Sequence, residues 1–346
     1  MSVNASTTPL DLGYRMPAEW APHQCCFIGW PCRDLLWGTA QGLARARSAY
    51  AQVAREIARF EPVRMLARPD HVSQASAACG DDVTVIPMAL DDSWLRDTGP
   101  TFVRNSHGQL AGVHWRFNGW GGKYLPHNHD AALGAGLLSS LGVTCFPAPL
   151  VAEGGALHVD GEGTLLVTEQ CLLNPNRNPG LTRPEIERIL CQFTGASTVV
   201  WLGLGLDGDE TDGHIDNVVC FAEPGKLLIQ GCDDPADPKY AIYGDNMKRL
   251  STATDARGKH FDIVSLPSPV PRKDAAGNFL TLSYVNFYVA NGAVIMPGFD
   301  DPADAPAATL IADAFPGRKV VQIPALDIVA GGGGIHCITQ QMPKAG

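Results

Sequence analysis

Short strand-forming runs alternate with helical stretches along almost the whole chain, and no linker or low-complexity segment interrupts them. Residues 26–31, 63–67, 83–88, 101–103, 112–117, 165–168, 198–202, 226–229, 262–266, 283–290, 293–296 and 320–323 are rich in β-branched and apolar residues and are bounded by turn formers. Residues 43–60, 72–79, 130–141, 182–193 and 306–315 have helical composition or helical spacing of apolar residues. With 37 glycines and 26 prolines, turns are many and elements short. The pattern predicts one α/β unit spanning residues 1–346, built of similar small pieces after a polar lead-in at residues 1–15. A loose echo accompanies it: Glu153-Gly154-Gly155, Asp212-Gly213-His214 and Gly333-Gly334-Ile335-His336-Cys337 each set a glycine turn beside a polar strand start.

The run Gly331-Gly332-Gly333-Gly334 is poor material for a helix or strand interior and suits a close approach of backbone to a ligand. His336 and Cys337 follow it, then Ile338 and Thr339, which favour strand. A thiol at the start of a strand behind bare glycine backbone is a candidate nucleophile, although a free cysteine is as readily inert packing. His214 and Asp216 lie two apart in an expected strand, which places them on one face. Together they suit proton transfer and the binding of a cation; a metal-ligand pair and a structural hydrogen-bonded pair are the plainer alternatives. Asp97, in Asp91-Asp92-Ser93-Trp94-Leu95-Arg96-Asp97-Thr98-Gly99-Pro100, is a candidate partner for a planar guanidinium or a turn-capping aspartate. Trp94 and Trp120 suit either stacking on a cation or the core.

Other motifs carry less. Gly203-Leu204-Gly205-Leu206-Asp207-Gly208 matches GxGxxG, but an acidic, strand-like stretch follows where a pyrophosphate needs a helix N-terminus. The run from Asp207 fails the EF-hand pattern at Asp212 and Val218. His127-Asn128-His129 reads as a solvated loop, and the ten cysteines fit no common zinc spacing, so no metal is expected. A net charge of −10 speaks against nucleic acid or an anionic membrane surface as partner and is compatible with a cationic substrate. No run approaches a membrane span, and residues 1–15 lack the apolar core of a signal peptide. A cytoplasmic protein with reduced thiols is therefore expected, for which the Asn4-Ala5-Ser6 sequon has no meaning. The sequence is silent on oligomeric state and leaves a homo-oligomer open.

Beyond single residues, seven motifs fall in order between residues 16 and 343: Met16-Pro17-Ala18-Glu19-Trp20; residues 91–100; Asn118-Gly119-Trp120-Gly121-Gly122-Lys123-Tyr124; Glu153-Gly154-Gly155; residues 172–178; Glu210-Thr211-Asp212-Gly213-His214-Ile215-Asp216-Asn217; and residues 333–341. In these the chain resembles the agmatine deiminases, of the bacterial peptidyl-arginine-deiminase-like branch of the guanidine-modifying (pentein) superfamily. It departs from their pattern at Gly334, where many relatives carry Asn, and at residues 125–129. The resemblance implies a five-bladed α/β propeller of ββαβ units with the active site at the central axis, and neither cofactor nor metal. It implies agmatine as substrate, Cys337 as nucleophile, His214 as acid and base, and Asp97 and Asp216 as guanidinium clamp. Trp94, Trp120, Glu153, Asp212 and Asn286 are second-rank candidates for lining the pocket and holding the distal amine. A deiminase or amidinotransferase for arginine or peptidyl-arginine is the nearer rival, and a guanidine- or polyamine-binding protein without turnover the remoter one.

Overall fold

The helix Ala40–Ala58 begins at Thr39, whose side chain accepts from the N–H of Gly42, and it buries Leu43, Ala46, Tyr50, Val53, Ala54 and Ile57 at helical spacing. In the computed structural model, which describes residues 7–346 apart from Leu35, Pro238 and Ala275, this helix connects β1 (His23–Gly29) to β2 (Val63–Ala67). The two strands run parallel, as a helical crossover requires, and β3 (Val83–Pro87) joins them parallel after the helix Val72–Cys79. The sequon and the start of the polar lead-in lie outside the described residues.

The same unit then recurs. β4 (Thr101–Arg104) and β5 (Leu110–Arg116) form an antiparallel pair, the helix Asn128–Ser140 follows, and β6 (Thr144–Val151) returns parallel to β5. β7 (His158–Val159), β8 (Thr164–Thr168), the helix Arg183–Thr194 and β9 (Thr198–Leu202) repeat that order. So do β10 (Val219–Glu223), β11 (Lys226–Gln230), the helix Lys239–Thr252 and β12 (Asp262–Leu266). The last full unit is β13 (Tyr288–Ala290), β14 (Ala293–Gly298), the helix Asp304–Ala314 and β15 (Lys319–Pro324). Finally β16 (Thr339–Pro343) pairs antiparallel with β1, with Ile28 opposite Thr339, so the end of the chain supplies the missing first strand of the first unit. Among the described residues the sixteen strands thus form five sheets, four of them ββαβ and the first closed by β16. The fold is a five-bladed α/β propeller.

Neighbouring blades share their cores. Cys26, Ile28 and Ile57 of the first unit pack in one buried cluster with Tyr288, Ile295 and Ile323 of the last. No blade covers both faces of its sheet alone, so closure of the ring completes the burial.

Several elements differ from expectation. β6 was not expected, because Pro147 and Pro149 interrupt residues 144–151; both are exposed, and β6 is an edge strand, where a missing N–H is tolerated. The helix Lys239–Thr252 was also missed, since it buries only Asn246 and Leu250 and so lacks an apolar stripe. Residues 283–287, expected as strand, are loop and short turn ahead of β13. No helix among the described residues is long and apolar enough to cross a membrane.

Candidate active site

Each blade ends its approach to its first strand in a short turn, and these turns carry the candidate residues. Asp97 lies on the single helical turn Leu95–Thr98 before β4, and Glu153 immediately precedes the turn Gly154–Ala156 before β7. His214 precedes the 3-10 turn Ile215–Asn217 before β10, and that turn contains Asp216. Asn286 stands two residues before β13, and Cys337 two residues before β16. The loose sequence echo is therefore the repeat itself: equivalent turns, gathered at the axis by five-fold packing. The expected strand at His214 and Asp216 is corrected. Residues two apart on a 3-10 turn do not share a face; His214 sits just outside that turn, and it and Asp216 both border Gly155, where a Cβ would lie 2.6 Å from His214 Nδ1 and 3.0 Å from Asp216 Oδ2.

Cys337 is buried, with its Sγ 3.2 Å from Asn286 Nδ2 and 3.5 Å from Asp216 Oδ2. Asp97 accepts from the indole N–H of Trp120 at 2.9 Å through Oδ2, and from the N–H of Gly155 at 3.0 Å through Oδ1. Trp120 thus holds the Asp97 carboxylate, a role that stacking chemistry did not suggest. His214 is fully buried between two carboxylates, Nδ1 3.7 Å from Asp97 and Nε2 3.6 Å from Glu153, and neither ring nitrogen has a hydrogen-bond partner. Asp216 Oδ1 is likewise buried and unpaired. Trp94 stacks on Trp37 and puts its ring edge against Gly333. With Asp97, Trp120, Tyr124, Glu210 and Cys337 it lines one small cavity. Glycine is required at two walls. A Cβ on Gly155 would lie 2.6 Å from His214 Nδ1 and 2.9 Å from Asp97 Oδ1, and one on Gly333 would lie 2.7 Å from the Trp94 ring. The Gly334 departure fits its surroundings too, since a Cβ there would lie 2.3 Å from Asn286 Oδ1.

The electrostatics follow from this crowding. Burial, with Asp216 and Asp97 adding to it, pushes the Cys337 thiol well above the usual range. Burial pushes the Asp97 carboxyl up to about 6 against the pull of His214. For His214, burial opposes the charged form, but Asp97 and the contacts to Cys171 and Glu153 prevail and hold the imidazolium well above its ordinary value. In the free site these shifts favour the neutral thiol and the protonated histidine, ringed by acids.

Asp212 is placed differently from the other candidates. Its Oδ2 accepts from Arg177 and Asn176 at 2.9 Å each and its Oδ1 from Lys123 at 2.7 Å, so both oxygens are engaged. It fixes the loop behind the site, while Glu210, two residues earlier, reaches the cavity. Sequence reasoning also did not single out Glu19, Arg177 or Cys171. The first two lie inside the recognised motifs, a usable signal; Cys171 carried none. Glu153, Cys171 and His214 offer ligand atoms within 4.8 Å of one another. However, Arg177 Nε donates to Glu153 at 2.8 Å, so that carboxylate already has its cation. Dialysis against a strong chelator is expected to leave activity unchanged, and loss restored by zinc would assign this trio a metal.

With the geometry in hand, the relatives are informative. A family model for the Porphyromonas-type peptidyl-arginine deiminases matches residues 15–343. The agmatine deiminase of Pseudomonas putida (strain F1) is 43% identical over 361 residues, covering 98% of both chains. That of Ectopseudomonas mendocina is 42% identical over 361 residues, again covering 98% of each. The solved agmatine deiminase of Enterococcus faecalis superposes with a TM-score of 0.95 at 34% identity, covering 100% of both chains. These matches run along nearly the full length, and the chain belongs to the Porphyromonas-type peptidyl-arginine deiminase family.

Proposed function

We propose that this protein hydrolyses the guanidinium of agmatine to N-carbamoylputrescine and ammonia. The observation that carries the reading is the pair of carboxylates at Cys337: Asp216 touches the thiol, and Asp97 lies across His214 from Glu153. A guanidinium cation set between Asp97 and Asp216 presents its carbon to Sγ. Its charge also offsets the two carboxylates that oppose the thiolate, so as the substrate binds the Cys337 S–H bond breaks, its proton passes to solvent and the thiolate forms. Attack gives a tetrahedral adduct. His214, protonated in the free site, donates its proton to the departing ammonia and leaves an S-amidino intermediate on Cys337. The neutral imidazole then takes a proton from water, which displaces the thiolate. Asn286 Nδ2, 3.2 Å from Sγ, is placed to donate to that thiolate.

The distal amine is assigned to Glu210 in preference to Asp212. Both oxygens of Asp212 are engaged, whereas Glu210 lines the same cavity as Cys337, where its carboxylate receives the Tyr124 hydroxyl. A net charge of −10 suits a cationic substrate and disfavours nucleic acid or an anionic membrane surface as partner. Ammonia release from agmatine, arginine and a blocked arginine peptide, compared side by side, tests the reading; faster release from either arginine compound would overturn it. In the same assay Glu210→Gln is expected to lower kcat/KM for agmatine by about tenfold, the effect of roughly 1.4 kcal/mol. An equal loss on a guanidine lacking the amine would remove Glu210 from that role.

A further inference from the structure

Behind Asp216, away from the cavity, a line of buried ionisable groups runs through the molecule. His336 Nδ1 lies 2.9 Å from Asp216 Oδ2, and His336 Nε2 lies 2.8 Å from Glu19 Oε1. Glu19 Oε1 also receives Arg96 Nη1 at 3.3 Å, and its Oε2 faces His158 Nε2 at 3.7 Å. Glu19, Arg96, His158, Asp216 and His336 are all at most 4% exposed. Arg96 Nε approaches the carbonyl of His336 at 3.4 Å, the His158 and His336 rings are 6.3 Å apart, and Asn286 Oδ1 accepts from the backbone N–H of His336 at 2.9 Å.

An ionised carboxylate only accepts hydrogen bonds. A histidine with a carboxylate oxygen at each ring nitrogen must carry two N–H groups, or one of the acids must carry the proton instead. Arg96 beside Glu19 favours the first arrangement. We infer that His336 is a positioning residue, an imidazolium clamped between Glu19 and Asp216, which keeps Asp216 ionised and turned so that its unpaired Oδ1 faces the guanidinium. This rests on Asp216 being a guanidinium ligand, as proposed above.

The charge distribution is consistent with it. Burial opposes an imidazolium at 336 and so does Arg96, yet Glu19 and Asp216 hold its pKa above the ordinary value. Burial raises the Asp216 carboxyl, but His336 brings it below the usual range. Burial pushes His158 down to about 4, so it stays neutral and does not compete for Glu19. The two oxygens of Asp216 are therefore unlike: Oδ2 is held by His336 and borders Cys337 Sγ, whereas Oδ1, buried and without a partner, is left for substrate.

Two variants separate charge from hydrogen bonding. His336→Gln removes the cation. Glu19→Gln lets a neutral His336 keep its N–H toward Asp216 while removing the carboxylate that holds the ring charged. His336→Gln is expected to lower kcat/KM for agmatine about 10- to 100-fold, the usual range when a residue orienting a ligand group is lost. Without the imidazolium, Asp216 protonates more readily, so the acid limb of the kcat/KM profile should move to higher pH in both variants, and less in Glu19→Gln. Wild-type rates and an unmoved limb in both folded variants would overturn the inference. Should either variant fail to fold, ring nitrogen-15 shifts of His336 in the otherwise wild-type protein decide the matter. Two protonated nitrogens at pH 7 support the clamp, and one lone-pair nitrogen refutes it. Undiminished agmatine binding by Asp216→Asn would remove the guanidinium ligand from the scheme while leaving the protonation of His336 to the same spectrum, so the two failures are told apart.

Discussion

Cys337→Ser is expected to abolish ammonia release from agmatine while leaving the fold unchanged. The thiol is already hard to ionise, because burial and the Asp216 and Asp97 carboxylates disfavour its anion. A bound guanidinium can offset those carboxylates for a thiol, but a serine hydroxyl starts much further from ionisation and is the weaker nucleophile. The loss should reach at least about a hundredfold in kcat. The side chains differ by one atom, so the contacts of residue 337 with Asn286 and Asp216 leave room for the hydroxyl, and the melting temperature should hold. Retention of more than a few per cent of the wild-type rate would mean that another group attacks. The other cysteines should be replaceable one at a time without comparable loss. Cys171 is the exception to watch, since its thiol lies 3.9 Å from Glu153 and borders His214.

Asp97→Asn and Asp216→Asn are expected to lose roughly thirty- to several-thousand-fold in kcat/KM. Each keeps size and removes one charge from a buried pairing with the substrate cation, and truncating one partner of such a pair costs about 2 to 5 kcal/mol. The loss should appear in kcat as well as KM, because the same carboxylates aim the guanidinium carbon at Sγ. Asp97→Asn carries a second effect: Trp120 and Gly155 both donate to that carboxylate, and an asparagine has one accepting oxygen for two donors. His214→Asn should differ, keeping most agmatine binding and losing the chemistry. Calorimetric titration of agmatine into each variant, in a Cys337→Ala background, separates the three. Wild-type affinity in both aspartate variants would sink the clamp, and Glu153, Asp209, Glu210 and Asp212 would become the anchors to examine.

A protein with this site offers a simple reason why its free thiol can be unreactive at neutral pH and yet serve as nucleophile. In the proposed mechanism the acids that bind the cation suppress the thiolate until the cation arrives, and the same acids hold His214 protonated for the first step. One set of carboxylates would thereby set substrate charge, nucleophile and acid together and tie activity to cationic guanidines.

What the amino-acid sequence determined by itself is local. Strand-forming runs such as residues 63–67 and 198–202, helix signals such as the Thr182 capping box with Glu185, and the glycines ahead of Cys337 are visible because neighbouring residues decide them. The recognised motifs carried further, since they marked Asp97, Glu153, His214, Asp216 and Cys337 without geometry. Only the tertiary structure decided what those residues touch. His336 meets Asp216 across 120 residues and Glu19 across 317, distances at which no periodicity informs. Trp120 became the support of Asp97, Asp212 was drawn off by Arg177 and Lys123, and Glu210 took the place at the cavity. The physical reason is that the site is assembled from the turns of five blades, and their convergence depends on how the blades pack around the ring. The charge states depend on it too, because burial and the approach of distant carboxylates, neither of which exists along the chain, set whether Cys337, His214 and Asp97 hold their protons.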